Sequence, residues 1–215
     1  PEKYIGNKED WDLCESMLQE VSDELHLEAK RCEGEAALYG PKLDFMFTDA
    51  LGREVQIPTV QVDFSTPKRF GLYYVDKNGE KQTPVMVHRA ILGSYERFLA
   101  LILEQFKGAL PTWLSPVQVK ILPISDAHIE YAKEIMKKLE DEEIRVELDD
   151  RQEKTGYKIR EAQIQKIPYM LVVGDKEVES NTLSVRSRDD GDMGKFDVED
   201  FITKIKKEIS EKKSK

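Results

Sequence analysis

Residues 83–98 read TPVMVHRAILGSYERF. The pattern predicts an apolar strand that ends at His88, a turn at Gly93 and a helix that carries Arg97 in its first turns. Glycine lets the backbone approach a ligand closely, and arginine offers a planar, charged fork that matches phosphate oxygens. The stretch therefore suits a phosphate-handling site. A plain strand–turn–helix, with a packed histidine and an arginine paired to a nearby glutamate, explains the same residues.

The composition limits the class of protein. The 215 residues allow one large domain or two ordinary ones. A net charge of −9 argues against indiscriminate binding to nucleic acid, although a local patch can still contact RNA. No apolar run approaches the ~20 residues of a membrane span, so no membrane partner is expected. Two cysteines without zinc-type spacing favour a reduced, cytoplasmic setting.

The first half of the chain has the pattern of an antiparallel sheet backed by helices. Helical spacing predicts an amphipathic helix over residues 8–29 and a buried helix over 94–107. Alternation predicts a hairpin over 42–64. A second hairpin is expected to pair 72–75 with 85–87, because Asn-Gly between them is a strong turn signal.

The second half has a different pattern, and prolines near residue 113 mark the boundary. We expect domains at 1–113 and 114–215, and a fold of α+β followed by α/β. Strands that alternate with helices predict a separate domain with a mixed, mostly parallel sheet. The predicted strands are 117–122, 144–148, 169–173 and 182–186, and the predicted helices are 127–139, 157–166 and 198–209.

Several polar residues stand out on the predicted strands of the first half. Tyr39 and Lys42 flank a Gly-Pro turn that enters the first strand, where a phenol and an ammonium could bind a carboxylate or phosphate. Gln56 and Gln61 lie among apolar residues on the next strand, and buried amides need partners. Asp63 could serve as a partner or bind a ligand. Each residue alone has a structural explanation, but all are expected on adjacent strands.

These stretches together resemble the threonyl-tRNA synthetases, a family of class II aminoacyl-tRNA synthetases. The resemblance rests on YGPK at 39–42, on Gln56, Thr59 and QVDF at 61–64 of the next strand, and on PVMVHRAILGSYERF at 84–98, the last of which matches motif 3 of the class. PTWLSPVQVKILPIS at 111–125 and RQEKTGYKIREAQIQKIPYMLVVGDKEVE at 151–179 are similar to the family's anticodon-binding domain. The resemblance extends over essentially the whole chain.

The resemblance implies roles for residues of the first half. Arg97 and Lys42 correspond to catalytic residues, and Arg97 would hold phosphate charge of ATP, which enters with Mg²⁺. His88 corresponds to one of three ligands of a Zn²⁺ ion that selects threonine by its hydroxyl. The positions that match the family's substrate pocket are Tyr39, Lys42, Gln56, Gln61, Ser94 and Arg97.

In the second half, the family's anticodon contacts map onto Gln152, Glu177 and Arg186. They would read the G and U that threonine anticodons share, by hydrogen bonds to the edges of splayed bases. Three further cations, Lys154, Lys158 and Arg160, are candidates for phosphate contacts, and a solvated helix face explains them equally well.

The chain also departs from the family pattern. The other two zinc ligands, motif 1 and motif 2 do not occur in it, and Ile57-Pro58 and Gln152 replace the Cys-Gly pair and the asparagine expected there. The expected parent is therefore a homodimeric threonine–tRNA ligase, acting on threonine, ATP and tRNA(Thr), of which this chain is the C-terminal part. Two other hypotheses are a non-catalytic anticodon-binding module and an accessory subunit derived from a synthetase.

We expect the purified 215-residue chain to catalyse neither activation of threonine nor its transfer to tRNA. The reason is that two zinc ligands and the motif 2 arginine, which grips the α-phosphate, do not occur in it. Threonine-dependent exchange between ATP and pyrophosphate is the direct measurement. Exchange above the rate without threonine would contradict the expectation.

Overall fold

A computed structural model describes Tyr4–Ser214. The chain divides into two compact units, Pro1–Gln105 and Phe106–Lys215. The first contains an antiparallel sheet with helices and the second a mixed sheet with helices, so the predicted fold class is confirmed. The functional domains 1–113 and 114–215 stay a prediction. No helix in the described range is long and apolar enough to cross a membrane.

The first unit is built on a three-stranded antiparallel sheet of order β1-β2-β5. A separate two-stranded ribbon joins β3 to β4. The elements in chain order are α1 (Lys8–Glu24), β1 (Lys42–Thr48), β2 (Glu54–Asp63), α2 (Thr66–Arg69), β3 (Tyr74–Val75), β4 (Lys81–Gln82), β5 (Met86–Ala90) and α3 (Tyr95–Gln105).

The first helix is shorter than the predicted span of 8–29. It begins after Asn7, whose side chain accepts a hydrogen bond from Asp10 N at 2.8 Å, as an N-cap does. It ends at Glu24, because His26 and Glu28 have φ values of 53° and 50°, which a right-handed helix cannot contain.

The predicted pairing of 72–75 with 85–87 is wrong. Asp76 accepts hydrogen bonds from the N–H groups of Asn78 and Glu80, so the turn closes tightly and β3 pairs with β4 over two residues only. Pro84 has no N–H to donate and separates this ribbon from β5. β5 instead pairs with β2, which brings His88 opposite Gln61.

The predicted burial of helix 94–107 is also wrong. α3 forms within that span, but none of its residues is buried, and Leu99 and Leu103 are 57% and 47% exposed. Periodicity identifies which face of a helix is apolar, but not whether another element covers that face.

The second unit has a five-stranded sheet of order β10-β9-β8-β6-β7. Four strands run in one direction, because β7 and β8 are parallel to β6, and β10 and β8 are both antiparallel to β9. The elements are β6 (Val119–Pro123), a 3-10 turn (Asp126–His128), α4 (Ile129–Asp141), β7 (Val146–Leu148), α5 (Thr155–Ile164), β8 (Tyr169–Val173), α6 (Asp175–Ser180), β9 (Thr182–Ser187), β10 (Gly191–Asp197) and α7 (Val198–Ser210). The sequence did not predict α6 or β10.

Helices cover both faces of this sheet, so alternate residues of β6 enter different cores. Ile121 packs in the larger core with α4 and α7, whereas Leu122 packs with Ala162 of α5. All five residues of β6 are buried. The chain leaves β6 towards one face and leaves β7 towards the other, which opens a crevice at the carboxyl ends of these strands. Open α/β sheets bind ligands at such a point.

Replacing Gly40 by alanine should disrupt the first unit. An added Cβ would lie 1.7 Å from the Val62 carbonyl oxygen, so the entry to β1 would have to move away from β2. We expect a loss of about 3 kcal/mol or more in the free energy of unfolding. Urea unfolding followed by Trp11 fluorescence, in a Trp113→Phe background, measures the first unit.

Gly156→Ala is the matched control. Gly156 lies in α5, and an added Cβ would meet no atom within 4 Å. Alanine is the better helix former by up to ~1 kcal/mol, so this change should be neutral or stabilising for the second unit. Equal destabilisation by the two substitutions would contradict the argument from close approach.

Candidate functional site

Three predicted site residues lie side by side on the sheet of the first unit. Lys42 on β1 is opposite Gln61 on β2, and Gln61 is in turn opposite His88 on β5. Directly opposite residues place their side chains on the same face of a sheet. We call these three residues the polar row. The prediction that Lys42 and Gln61 lie on adjacent strands is confirmed, whereas the pairing of the His88 strand with β2 was not predicted.

Tyr39 reaches the polar row from the turn that precedes β1. Its hydroxyl donates a hydrogen bond to Gln61 Oε1 at 2.5 Å, and its ring centroid lies 5.5 Å from that of His88. The next residue, Gly40, lies against the backbone of β2 at Val62 where no side chain fits. The glycine is therefore what allows the turn to deliver Tyr39 to this face.

Asp44 holds several of the predicted residues, and the sequence interpretation missed it. Its carboxylate pairs with Lys42 Nζ and accepts hydrogen bonds from Gln56 Nε2 at 2.8 Å and Thr59 Oγ1 at 2.7 Å. The register of β1 and β2 shifts between Asp44 and Met46, and such a bulge re-aims side chains. A signal was available, because alternation with the apolar Leu43 places Asp44 on the same face as Lys42.

His88 has a carboxylate partner on one ring nitrogen. Its Nε2 lies 3.0 Å from Asp63 Oδ2, while Asp63 Oδ1 accepts from the backbone N–H groups of Ser65 and Thr66. Burial disfavours the charged form of Asp63, but hydrogen bonds from Thr66, His88 and Ser65 outweigh it and lower the pKa of this carboxyl group.

This geometry fits His88 as a single metal ligand. Metal-binding histidines commonly use one nitrogen for the metal and donate the other N–H to a carboxylate. The bond to Asp63 leaves Nδ1 for that role. Within Tyr4–Ser214, no group of three or more histidine, cysteine or acidic side chains could hold a metal ion.

Arg97 and Ser94 lie at the beginning of α3. Arg97 Nη1 donates to the Gln56 carbonyl oxygen at 3.1 Å, so the guanidinium reaches β2. Ser94 Oγ accepts a hydrogen bond from Arg97 N at 3.2 Å and thus caps the helix. Gly93 has a φ of 67°, and an added Cβ would lie 3.1 Å from the Ile57 carbonyl oxygen. The predicted turn glycine is needed for this backbone conformation.

The second unit has a cavity of about 430 Å³ at the carboxyl ends of β6 and β7. We call it the edge cavity. It is lined by 123–126 and Ile129 after β6, by 150–154 after β7, and by Lys158. Gln152 lines it and donates from Nε2 to Asp126 Oδ2 at 2.8 Å, which joins the two loops. The amide oxygen of Gln152 takes no part in this bond.

A salt bridge fixes the loop after β7. Arg151 donates from Nε and Nη2 to both carboxylate oxygens of Asp149, at 2.8 and 2.7 Å. These bonds outweigh the effect of burial and hold the pKa of Asp149 below its ordinary value. Since Gln152 follows directly, the pair limits the positions that this side chain can take.

The two other predicted anticodon residues lie outside the edge cavity. Glu177 is buried on α6, and its Oε2 accepts from Gly174 N at 3.1 Å. Arg186 lies on β9 opposite Met170, and its Nη1 is 3.2 Å from Asp192 Oδ2. Arg186 Nε is buried and has no hydrogen-bond partner among the described residues. The roles of all three residues stay predictions.

The three candidate phosphate contacts differ in their surroundings. Lys154 is exposed and lines the edge cavity, and Arg160 is exposed on α5. Lys158 is buried, so its placement on a solvated helix face is wrong. The spacing of α5 gave no sign of this, because the helix is polar on most sides.

Comparison with known proteins covers both units. Residues 7–106 match the family model for the tRNA synthetase class II core domain (G, H, P, S and T), and residues 118–208 match that for the anticodon binding domain. Threonine–tRNA ligase of Caldanaerobacter subterraneus subsp. tengcongensis is 53% identical over 99% of this chain. That of Clostridium botulinum is 52% identical over the same share. The chain spans 33% of the length of each of these relatives.

Solved structures of similar proteins agree with these matches. The RNA binding domain of threonyl-tRNA synthetase from Cryptosporidium parvum has a TM-score of 0.86 and 39% identity, and the match covers 96% of this chain and 52% of that one. A putative threonyl-tRNA synthetase from Aeropyrum pernix has a TM-score of 0.68 and 29% identity, over 97% and 51% of the two chains. Both units are thus accounted for by one kind of protein, and the chain belongs to the threonyl-tRNA synthetase family.

Proposed function

We propose that this chain is part of a threonine–tRNA ligase, an enzyme that activates threonine with ATP and transfers it to tRNA(Thr). The observation that carries the proposal is the polar row, because it gathers an ammonium, an amide and an imidazole on one sheet face. An accessory subunit that kept only the fold would have no need of this arrangement. The parent enzyme is proposed to be a cytoplasmic homodimer.

In the first unit, Arg97 and Lys42 are proposed to act on the phosphate and carboxylate groups during formation of the adenylate. Their side chains carry fixed positive charge, and preorganised charge stabilises a transition state in which negative charge develops. Lys42 is held by Asp44, and Arg97 by the β2 backbone. Neither side chain therefore has to be ordered at the moment of reaction.

The other predicted residues are proposed to orient the substrates. Tyr39 and Gln61 form one hydrogen-bonded pair, and Gln56 is bonded to Asp44. Ser94 is proposed to act at the same pocket through the helix that it caps. Bound Zn²⁺ would supply a Lewis acid for the amino and hydroxyl groups of threonine, and ATP would bring Mg²⁺. His88 would hold the zinc, while Asp63 fixes the orientation of its ring.

In the second unit, Gln152, Glu177 and Arg186 are proposed to read the G and U shared by threonine anticodons. An amide, a carboxylate and a guanidinium together supply the donors and acceptors that base edges require. The unpartnered Nε of Arg186 supports a ligand contact, because a buried donor without a partner is costly. The residues lie on a loop, a helix and a strand, and this separation suits splayed bases.

Binding of an anticodon stem-loop tests this proposal. The 215-residue chain should bind a threonine-type stem-loop more tightly than the same loop with G changed to A at the middle anticodon position. Arg186→Gln and Glu177→Gln should each weaken binding by about 1–3 kcal/mol, because each removes a base contact. Fluorescence anisotropy with a labelled stem-loop gives the Kd.

The matched control is Glu179→Gln, because Glu179 is exposed on the same helix as Glu177. Removing negative charge near RNA normally strengthens binding. A loss of affinity in Glu177→Gln, with no loss in Glu179→Gln, would therefore indicate a specific contact. Equal binding of the two stem-loops by the wild-type chain would refute anticodon reading.

A further inference from the structure

The edge cavity contains one buried ammonium group. Lys158 is 3% exposed, whereas Lys154 and Arg151, the other cations that line the cavity, are exposed. Lysine is almost never fully buried unless partners satisfy its charge. A buried lysine in the wall of a cavity is therefore expected to have partners that satisfy its charge.

The partners of Lys158 are two backbone carbonyl groups at the ends of neighbouring strands. Its Nζ donates to the oxygen of Pro123, the last residue of β6, and to the oxygen of Asp149, directly after β7, both at 3.0 Å. The ammonium thus joins the ends of the two strands whose following loops line the cavity. The bonds also fix the spacing of these two loops.

These two bonds leave the ammonium incompletely satisfied. An ammonium has three N–H donors, and within the described range Lys158 makes no third bond. The nearby Asp149 carboxylate does not take it, because both of its oxygens accept from Arg151. Lys158 is among the residues that line the edge cavity, so an acceptor bound there is the candidate partner for the remaining donor.

The charge of the walls indicates which acceptor this is. Three acidic side chains, Asp126, Asp150 and Glu153, line the cavity beside its three cations. A phosphate would find no net positive charge there, whereas a neutral group with donors and acceptors would find partners of both kinds. A nucleobase edge is such a group, and a cavity of about 430 Å³ lies within the usual size range of small-molecule sites.

We propose that Lys158 reads a base: its ammonium donates a hydrogen bond to a carbonyl oxygen of an anticodon base in the edge cavity. The inference rests on the proposed function and adds a specificity-determining residue to it. The carbonyl is O6 of the shared G or O4 of the shared U. In either case one ammonium N–H holds the carbonyl oxygen, and the base is held edge-on.

A double-mutant cycle tests the proposal. Wild-type chain and Lys158→Met are titrated with the threonine-type stem-loop, with a loop carrying 2-aminopurine in place of G, and with a loop carrying pyrimidin-2-one in place of U. Each analogue lacks one carbonyl oxygen and the adjacent ring N–H. Loss of that N–H affects both proteins alike, so the cycle isolates the contact between Lys158 and the oxygen.

Each analogue weakens binding by some factor relative to the parent loop. For one analogue, we expect this factor to be about tenfold or more larger with the wild-type chain than with Lys158→Met. Coupling below twofold for both analogues would overturn the proposal. A loss in Lys158→Met that is equal for all loops, with the salt dependence lowered by about one charge, would assign Lys158 to phosphate and also overturn it.

Lys154→Met is the matched control, because Lys154 lines the same cavity but is exposed. Its effect should add to that of each analogue without coupling. If Lys158→Met does not fold, ¹⁵N-lysine spectra of the wild-type chain replace it, with Lys158→Arg used to assign the Nζ signal. That signal should shift with the parent loop and not with one analogue, and equal shifts with all loops would overturn the proposal.

The outcomes separate this inference from the proposed function. If the wild-type chain shows no preference for the threonine-type loop, anticodon reading fails and the role of Lys158 fails with it. If the preference is present but the coupling is absent, only the role of Lys158 fails.

Discussion

β6 is paired along both edges and buried on both faces, and the organisation of the second unit follows from that. Parallel neighbours on both sides require crossover helices. These helices cover opposite faces of the sheet, so Ile121 and Leu122 of β6 pack in different cores. The loops after β6 and β7 then diverge and leave a crevice between them. Backbone carbonyl groups at that edge need donors, and Lys158 supplies two of them. The Lys158 side chain, which joins the ends of β6 and β7, is therefore also part of the candidate site.

In the first unit, carboxylates hold the site residues in position. The three antiparallel strands each place one residue in the polar row, and Asp44 and Asp63 bind side chains of this row and of Gln56. Asp44 fixes Lys42 and Gln56, and Asp63 orients His88. These carboxylates give the site its geometry, because a long cation or an imidazole would otherwise have several rotamers of similar energy.

Strands buried on both faces were predictable, and short or uncovered elements were not. The bounds of β8 match the prediction at 169–173, because a continuous apolar run of that length is characteristic of a buried parallel strand. β10 contains two glycines and little alternation. α6 has only six residues, too few to show a repeated helical pattern of apolar positions. The pairing of β5 with β2 depends on residues far apart in sequence, which no local pattern encodes.

The sequence predicted which residues belong to the candidate site, but not which residues contact them. The predicted hairpin over 42–64 placed Lys42 and Gln61 on adjacent strands, and the register confirms that placement. The strand of His88 was expected beside 72–75 and pairs with β2 instead. The burial of Lys158 emerged only from tertiary contacts, because a charged residue on a helix looks the same in sequence whether it is solvated or buried. For Asp44, alternation along β1 indicated the face but not its partners. The capping bond of Ser94 likewise depends on where α3 begins.

The central claim is that the second unit binds the anticodon at the edge cavity, Glu177 and Arg186. Amide spectra of the ¹⁵N-labelled 215-residue chain, titrated with a threonine-type anticodon stem-loop, test it most directly. The account predicts that the largest shifts fall at 123–126, 149–154 and 174–187. Shifts confined to the outer surfaces of α4 and α7, or no saturable shifts at all, would contradict it.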